Sequence, residues 1–312
     1  MGRNDNETAI TEFILLGLSS NPHTKLTLFG LFLLIYLITA VGNGLLILLA
    51  VVDPHLHTPM YFFLGNLSFL DICYTTSSIP QMLAHCLSVR PTMSYARCSA
   101  QMYISLFLGM TECLLLAMMS YDRWVAVCNP LRYMLIMNRK VCIAMATFSW
   151  GSSFLLILVP SLTTQASLCG HNIIDHFVCE IQAVLTLACS DTRSNQALMS
   201  ATSIFTLLLP FGFIVVTYGR IIVAVLKMRS TENRNKAFST CSSHLMVVAI
   251  FYGTAMSMYL QPPAKSSSDK GKYIAIFYGT ITPMLNPLIY SLRNKDVKQA
   301  FWKVAGRKRY HS

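Results

Sequence analysis

Residues 26–52 read LTLFGLFLLIYLITAVGNGLLILLAVV, an apolar run with no charged side chain. About 20 mostly apolar residues carry a helix across the hydrocarbon core of a bilayer, and this run exceeds that length. Working outward along the chain, six more stretches do the same: 58–84, 98–121, 141–170, 194–219, 237–264 and 273–292. None of the seven holds Lys or Arg, and their only acidic residues are Asp71 and Glu112. In lipid every backbone N–H and C=O must be paired, so each run predicts a helix. The spans are placed at about 26–52, 58–84, 98–121, 141–161, 197–226, 237–260 and 273–292. The expected fold is an all-α membrane protein, a seven-transmembrane helix bundle in a single domain over residues 1–312. Composition agrees, with 54% of residues hydrophobic and 12% charged, against about 25% charged in soluble domains. So few charges could not cover a soluble surface, and so apolar a chain does not stay disordered.

An odd number of spans puts the termini on opposite sides, and the Lys and Arg of the connections assign those sides. With the carboxyl terminus inside, 16 of the 24 Lys and Arg residues fall on the cytoplasmic side, many of them in the tail 293–312. The first inner loop, Asp53 to His57, carries none and is the local exception. Residues 1–25 are then a short polar extracellular segment, where Asn6-Glu7-Thr8 makes Asn6 a glycosylation acceptor. The apolar stretch Phe13 to Leu18 is too short for the core of a signal peptide, so the first span serves as its own insertion signal. The net charge is +11, and its basic residues cluster just beyond helix ends on one face. That placement suits anionic membrane lipid and an acidic cytosolic partner rather than nucleic acid. In the tail, Val297, Phe301 and Val304 recur at i, i+4 and i+7 beside Trp302, which predicts a short amphipathic C-terminal helix on the inner leaflet. No internal repeat is visible, which weighs against a transporter.

The residues also suggest sites. A loop of roughly 30 residues between spans four and five carries Cys169, Cys179, Cys189, His171, His176, Asp175 and Glu180, and so long a connection needs tying down. Cys98 opens the third span on the same face, and four cysteines allow three pairings. Met102, Ser105, Leu106, Gly109 and Met110 share one helical face of span three. Met199, Thr202, Ser203 and Thr206 repeat that spacing in span five, as do Tyr252, Ala255, Met256 and Tyr259 in span six. Any one such stripe is equally a helix-packing surface; three of them can converge on an apolar cavity with a few hydroxyls, suited to a small neutral molecule with one polar group. Asp71 and Glu112 are ionisable at a depth where such residues are usually functional. Asp122-Arg123, at the inner end of span three, either fixes the helix end or holds a resting state by ion pairing and later turns to a partner. His244 reads as a switch or as a histidine satisfied by neighbouring hydroxyls. Cys73, Cys113, Cys128, Cys142 and Cys241 read as small apolar residues or reduced thiols. No phosphate loop, zinc-binding His-Glu-x-x-His string or nucleophile with a positioned base is present, so no enzyme activity is expected.

Four strings carry a family resemblance: Pro59-Met60-Tyr61-Phe62-Phe63-Leu64; Met119-Ser120-Tyr121-Asp122-Arg123-Trp124-Val125-Ala126-Val127-Cys128-Asn129-Pro130; Lys236-Ala237-Phe238-Ser239-Thr240-Cys241-Ser242-Ser243-His244-Leu245; and Pro283-Met284-Leu285-Asn286-Pro287-Leu288-Ile289-Tyr290. In order and spacing the chain resembles the olfactory receptors, a branch of the rhodopsin-like G-protein-coupled receptors, and within them the larger tetrapod-type class. Trp124 stands where that family usually has Tyr, and Thr217-Tyr218 where Ser-Tyr is usual.

The resemblance implies an odorant receptor of the plasma membrane, in olfactory neuron cilia. It would bind volatile, mostly apolar molecules and drive the heterotrimeric olfactory stimulatory G protein to raise cyclic AMP. The alternative is a rhodopsin-like receptor for a non-volatile ligand outside the nose. Arg123 would meet the G protein, with Tyr218 and Tyr290 swinging toward it. Asp71 and Glu112 would lie near Asn43 and Asn286; two carboxylates that close share a proton or hold a cation, and a bound sodium ion is the expectation, with no other cofactor. The resemblance pairs Cys98 with Cys179, leaving Cys169 with Cys189. The first pairing removes the thiolate that would let His176 to Glu180 bind copper. An amine receptor of the wider family would carry an acid near Ser105, so cationic ligands are disfavoured, and no lysine in 273–292 could link retinal.

Overall fold

The computed structural model describes residues 11–163, 171–185, 187, 193–260, 269–293 and 295–304. Asn6, Cys169 and Cys189 lie outside them, as does the Met199 side chain. Seven long helices form the bundle: α1 (Pro22–Val52), α2 (Pro59–Leu87), α3 (Tyr95–Cys128), α4 (Arg139–Thr163), α5 (Arg193–Leu226), α6 (Thr231–Tyr259) and α7. The last is composite, with Asp269–Ile276, a π-helical turn Phe277–Ile281 and Thr282–Arg293 in succession, and α8 (Lys295–Val304) follows it. Local chemistry sets several starts. Asn21 caps α1 by accepting from the His23 N–H at 2.9 Å, with Pro22 at the first helical position, where its missing N–H costs nothing. The Asn138 side chain accepts from the Val141 N–H at 3.1 Å at the head of α4.

α1, α3, α4, α5 and α6 are each long and apolar enough to cross a membrane. α2 carries Asp71, Thr75, Ser78 and Gln81 on its buried face, and α7 is divided by its π turn. α3 packs against α2, α4, α5 and α6 and is the central helix. The outer surface is apolar: Leu34, Leu37, Val41 and Leu48 of α1, Phe148 and Leu155 of α4, and Phe205, Leu209, Val216 and Val223 of α5 are exposed. Contiguous apolar surface on that scale belongs in lipid, not water. Polar groups inside bridge helices instead, as where the Trp150 Nε1–H of α4 donates to Asn66 of α2 at 3.2 Å.

One end of the bundle carries a small sheet that hydropathy alone does not predict. β1 (Glu12–Leu15) pairs antiparallel with β2 (Thr92–Ser94), Phe13 opposite Met93, and parallel with β3 (Ile173–Ile174), Ile14 opposite Ile173. The segment 1–25, expected to be polar and external, is therefore tied down in part. Phe13 and Leu15 alternate with Glu12 and Ile14, and this period of two buries them with Met93, Cys98, Ile174 and Cys179 in a second small core.

The opposite end carries α8. Of the expected apolar face, Val297 and Phe301 have described side chains and Val304 does not. Val297 and Ala300 are buried against the bundle while Phe301 is exposed, because α8 docks on α1 and on the turn Pro54–Leu56. Lys303 Nζ donates to Asp53 there at 3.3 Å.

Candidate functional site

Three polar regions follow one another down the bundle. At the sheet end the loop between α4 and α5 folds inward. Its Cys179 is bonded to Cys98 of α3, with Cα atoms 5.3 Å apart. Gln101 secures the same place: its side-chain oxygen accepts from the Cys179 N–H at 2.9 Å, and its amide donates to the Ser77 carbonyl at 3.1 Å. Held so, Phe177 to Ile181 roof a cavity walled by α2, α3, α6 and α7. Its interior is about 40 Å³, room for about three waters, because Tyr74, Tyr259 and Tyr278 stand in it.

Of the residues expected to bind ligand, Met102, Ser105, Leu106 and Tyr259 line this cavity. Gly109 lies one turn below, where a Cβ would come 2.5 Å from the Tyr278 hydroxyl, so any side chain there would have to push that ring aside. Met110 and Met256 are half-buried and Ala255 is buried, all off the cavity wall. Tyr252 is a tie between helices, its hydroxyl donating to the Cys113 carbonyl at 3.0 Å. Thr202, Ser203 and Thr206 of α5 are half-buried and do not reach the cavity; the Thr206 hydroxyl is turned back to the Thr202 carbonyl at 2.8 Å. Helical spacing identifies a face but not which neighbour it meets, and these faces serve packing. The reading of the stripes missed Tyr74 and Ser78 of α2, Tyr278 and Thr280 of α7 and the loop acid Glu180. The π turn brings Tyr278 and Thr280 inward, both buried, whereas Glu180 follows Cys179 directly and could have been placed by it.

In the middle of the bundle, Asn286 donates to both oxygens of Asp71, at 3.2 and 3.0 Å. Glu112 faces the same pair from α3. Asn43 is joined to α7 one turn earlier, donating to the Pro283 and Thr39 carbonyls at 3.1 Å each. All four residues are buried. Glu112 Oε1, Asn43 Oδ1 and the Tyr290 hydroxyl have no hydrogen-bond partner among the described residues.

At the far end Arg123 folds onto its neighbour, with Nη2 2.5 Å and Nε 3.1 Å from Asp122 Oδ2. The other carboxylate oxygen accepts from the Tyr133 hydroxyl at 2.7 Å. Burial and the adjacent Asp122 push the Tyr133 phenol up, so it stays a donor. His244 ties three helices: Nε2 donates to the Leu116 carbonyl of α3 at 3.1 Å, and Nδ1 lies 2.7 Å from the Tyr218 hydroxyl of α5. A carbonyl only accepts, so Nε2 carries the proton and Nδ1 accepts from Tyr218. The histidine is thus satisfied by a hydroxyl and also bridges the helices a switch would separate. The Tyr218 hydroxyl is engaged here by His244 and makes no hydrogen bond to Arg123 among the described residues, although both it and the buried Tyr290 lie within electrostatic reach of the guanidinium.

Similarity to known proteins identifies the family and the fold. The olfactory receptor family profile matches residues 32–308. The chain is 55% identical over 300 residues to human olfactory receptor 13H1, covering 96% of this chain and 97% of that protein. It is 50% identical over 303 residues to human olfactory receptor 13C9, covering 95% of each. Among solved structures, squid rhodopsin superposes with a TM-score of 0.70 at 19% identity, over 92% of this chain and 87% of that one. The fold is therefore that of a seven-helix G-protein-coupled receptor, and the chain belongs to the olfactory receptor family.

Proposed function

We propose that the chain is an odorant receptor in which a small, mostly apolar volatile molecule binds under the loop roof and stabilises a state with α6 swung away from α3. The Arg123 end then receives the olfactory stimulatory G protein, whose GDP release raises cyclic AMP. One observation carries this reading: α3 and α6 each run from the cavity to the Arg123 end. α3 lends Met102, Ser105 and Leu106 to the one and Asp122 and Arg123 to the other. α6 lends Tyr259 to the one and His244 to the other. A ligand needs only to bind the open state better than the closed one. The sheet end faces outside, with the N-terminus extracellular at the plasma membrane of olfactory cilia, and the basic inner face meets anionic lipid.

The test is cyclic AMP in cells expressing the receptor with the olfactory G protein, against volatile odorants, beside Arg123→Ala at matched surface level. A dose-dependent rise lost in the variant supports the reading. A response that survives in the variant sinks the role given to Arg123.

The cluster of Asp71, Glu112, Asn286 and Asn43 holds a sodium ion in the resting state. Supporting this are two buried carboxylates facing each other without a cationic hydrogen-bond partner, and two oxygens, on Glu112 and Asn43, left unpartnered, all among the described residues. Such oxygens suit a hard cation. Sodium should raise the melting temperature of the purified protein above its value in potassium, and Asp71→Asn should remove the difference; equal melting in both salts excludes the site.

A further inference from the structure

Glu180 is the one acidic side chain on the cavity wall, and the wall carries no Lys, Arg or His among the described residues. It is 7% exposed, and neither carboxylate oxygen has a hydrogen-bond partner among the described residues. The nearby lysine is otherwise committed, and the nearby imidazole is neutral, its Nε2 without a hydrogen-bond partner among the described residues. Lys272 of α7 pairs with Asp175 at 2.6 Å. His176 is held neutral, its ring pushed down to about 4 by burial and by Lys272. The groups that do face Glu180 are aromatic: Tyr74 of α2 and Tyr259 of α6 lie within electrostatic reach of it. Tyr278 of α7 stands edge-on to both, at 5.7 and 6.2 Å between ring centroids. A buried carboxylate without partners needs donors from elsewhere, and the π faces of clustered aromatic rings attract a cation. Met102, Leu106 and Met258 supply apolar wall around these groups.

We infer that Glu180 anchors the polar head of the ligand and that the cavity takes a protonated aliphatic amine, its ammonium held by this carboxylate among Tyr74, Tyr259 and Tyr278. The inference rests on reading the cavity as the ligand site. It runs against the expectation drawn from Ser105, which disfavoured cationic ligands, because the acid comes from the loop and not from α3. Burial pushes the Glu180 carboxyl up to about 7, so the anchor is charged on the alkaline side of neutrality.

The test uses the full-length receptor purified in lipid nanodiscs, with ligand binding read as a rise in melting temperature. That readout needs no G protein, so its failure is distinct from a failure of signalling. The probes are hexylamine and hexanol, which differ only in the head group. Hexylamine should stabilise the protein at lower concentration than hexanol. Glu180→Gln should weaken hexylamine by about tenfold and leave hexanol within about twofold. The amine effect should also grow from about pH 6 to about pH 8 while that of hexanol stays flat. This last comparison is made on the unmodified chain and holds even where the variant fails to fold. Equal potency of the two probes, no stabilisation by the amine, or an amine effect that Glu180→Gln leaves intact would each overturn the inference.

Discussion

The cavity end and the Arg123 end of the bundle are both buried and polar, yet they differ in how their polar groups are satisfied. At the Arg123 end Asp122 uses both oxygens and His244 both ring nitrogens, each against a partner in the same chain. At the cavity end Glu180 uses neither oxygen among the described residues. A buried polar group left unmade costs about 1–3 kcal/mol, so the far end is closed on itself whereas the near end would gain by being filled. On the proposed function, ligand fills the near end and the far end opens. The Tyr290 hydroxyl, also without a hydrogen-bond partner among the described residues, lies on α7 within electrostatic reach of Arg123.

The largest expected effect is on the closed end. Arg123→Ala leaves Asp122 buried without its counter-ion, a loss of about 3–5 kcal/mol for a buried pair, and abolishes the agonist response; surface level and cyclic AMP read the two effects separately. Asp122→Asn frees the arginine from its ion pair and should raise basal cyclic AMP several-fold, while unchanged basal activity would mean that the pair is no latch. Tyr133→Phe removes only the hydroxyl on Asp122 Oδ1, a bond of about 1.5–3 kcal/mol to a charged group, and should raise basal activity by less than Asp122→Asn does.

The near end has its own perturbations. Gly109→Ala drives a methyl against the Tyr278 hydroxyl, 2.5 Å away. It should cost about 1–3 kcal/mol of stability and shift agonist potency without altering basal signalling. A change in basal signalling instead would show that the two ends are not separate. The smallest effect is one of pH. Glu180 titrates at about 7 in the folded chain, against about 4.3 for an unfolded glutamate. Between those values the unfolded chain ionises and the folded one does not, so stability falls as pH rises and the penalty is complete above about pH 7. Glu180→Gln should therefore raise the melting temperature of the unliganded receptor at about pH 8 and change it little near about pH 4.

The same contrast explains what could be read from residues alone. Asp122 and Arg123 are adjacent in the chain, and the geometry of a helix end brings them together whatever surrounds them. Asp71 and Glu112 stand out because a carboxylate in an apolar run is rare. Glu180 is marked only by following Cys179, and that mark places it only once the cysteine is joined to Cys98. Its place on the cavity wall depends on the Cys98–Cys179 bond, on Gln101 and on the paired strands β1 and β3. The α5 stripe of Thr202, Ser203 and Thr206 has the spacing of a ligand face, yet the cavity opens toward α2 and α7.

The number of helices, their membrane setting and the family are properties of the sequence, since the length of an apolar run and the order of local strings need no knowledge of neighbours. Which faces meet, which acid is left without a partner and which tyrosines fill the cavity belong to the tertiary structure. Those features arise from contacts between segments far apart in the chain, such as the π turn that carries Tyr278 to Gly109 and the disulfide that sets Glu180 beside Tyr74. Helical periodicity gives each residue a direction around its own axis, and only the packing of one helix against the next turns that direction into a place.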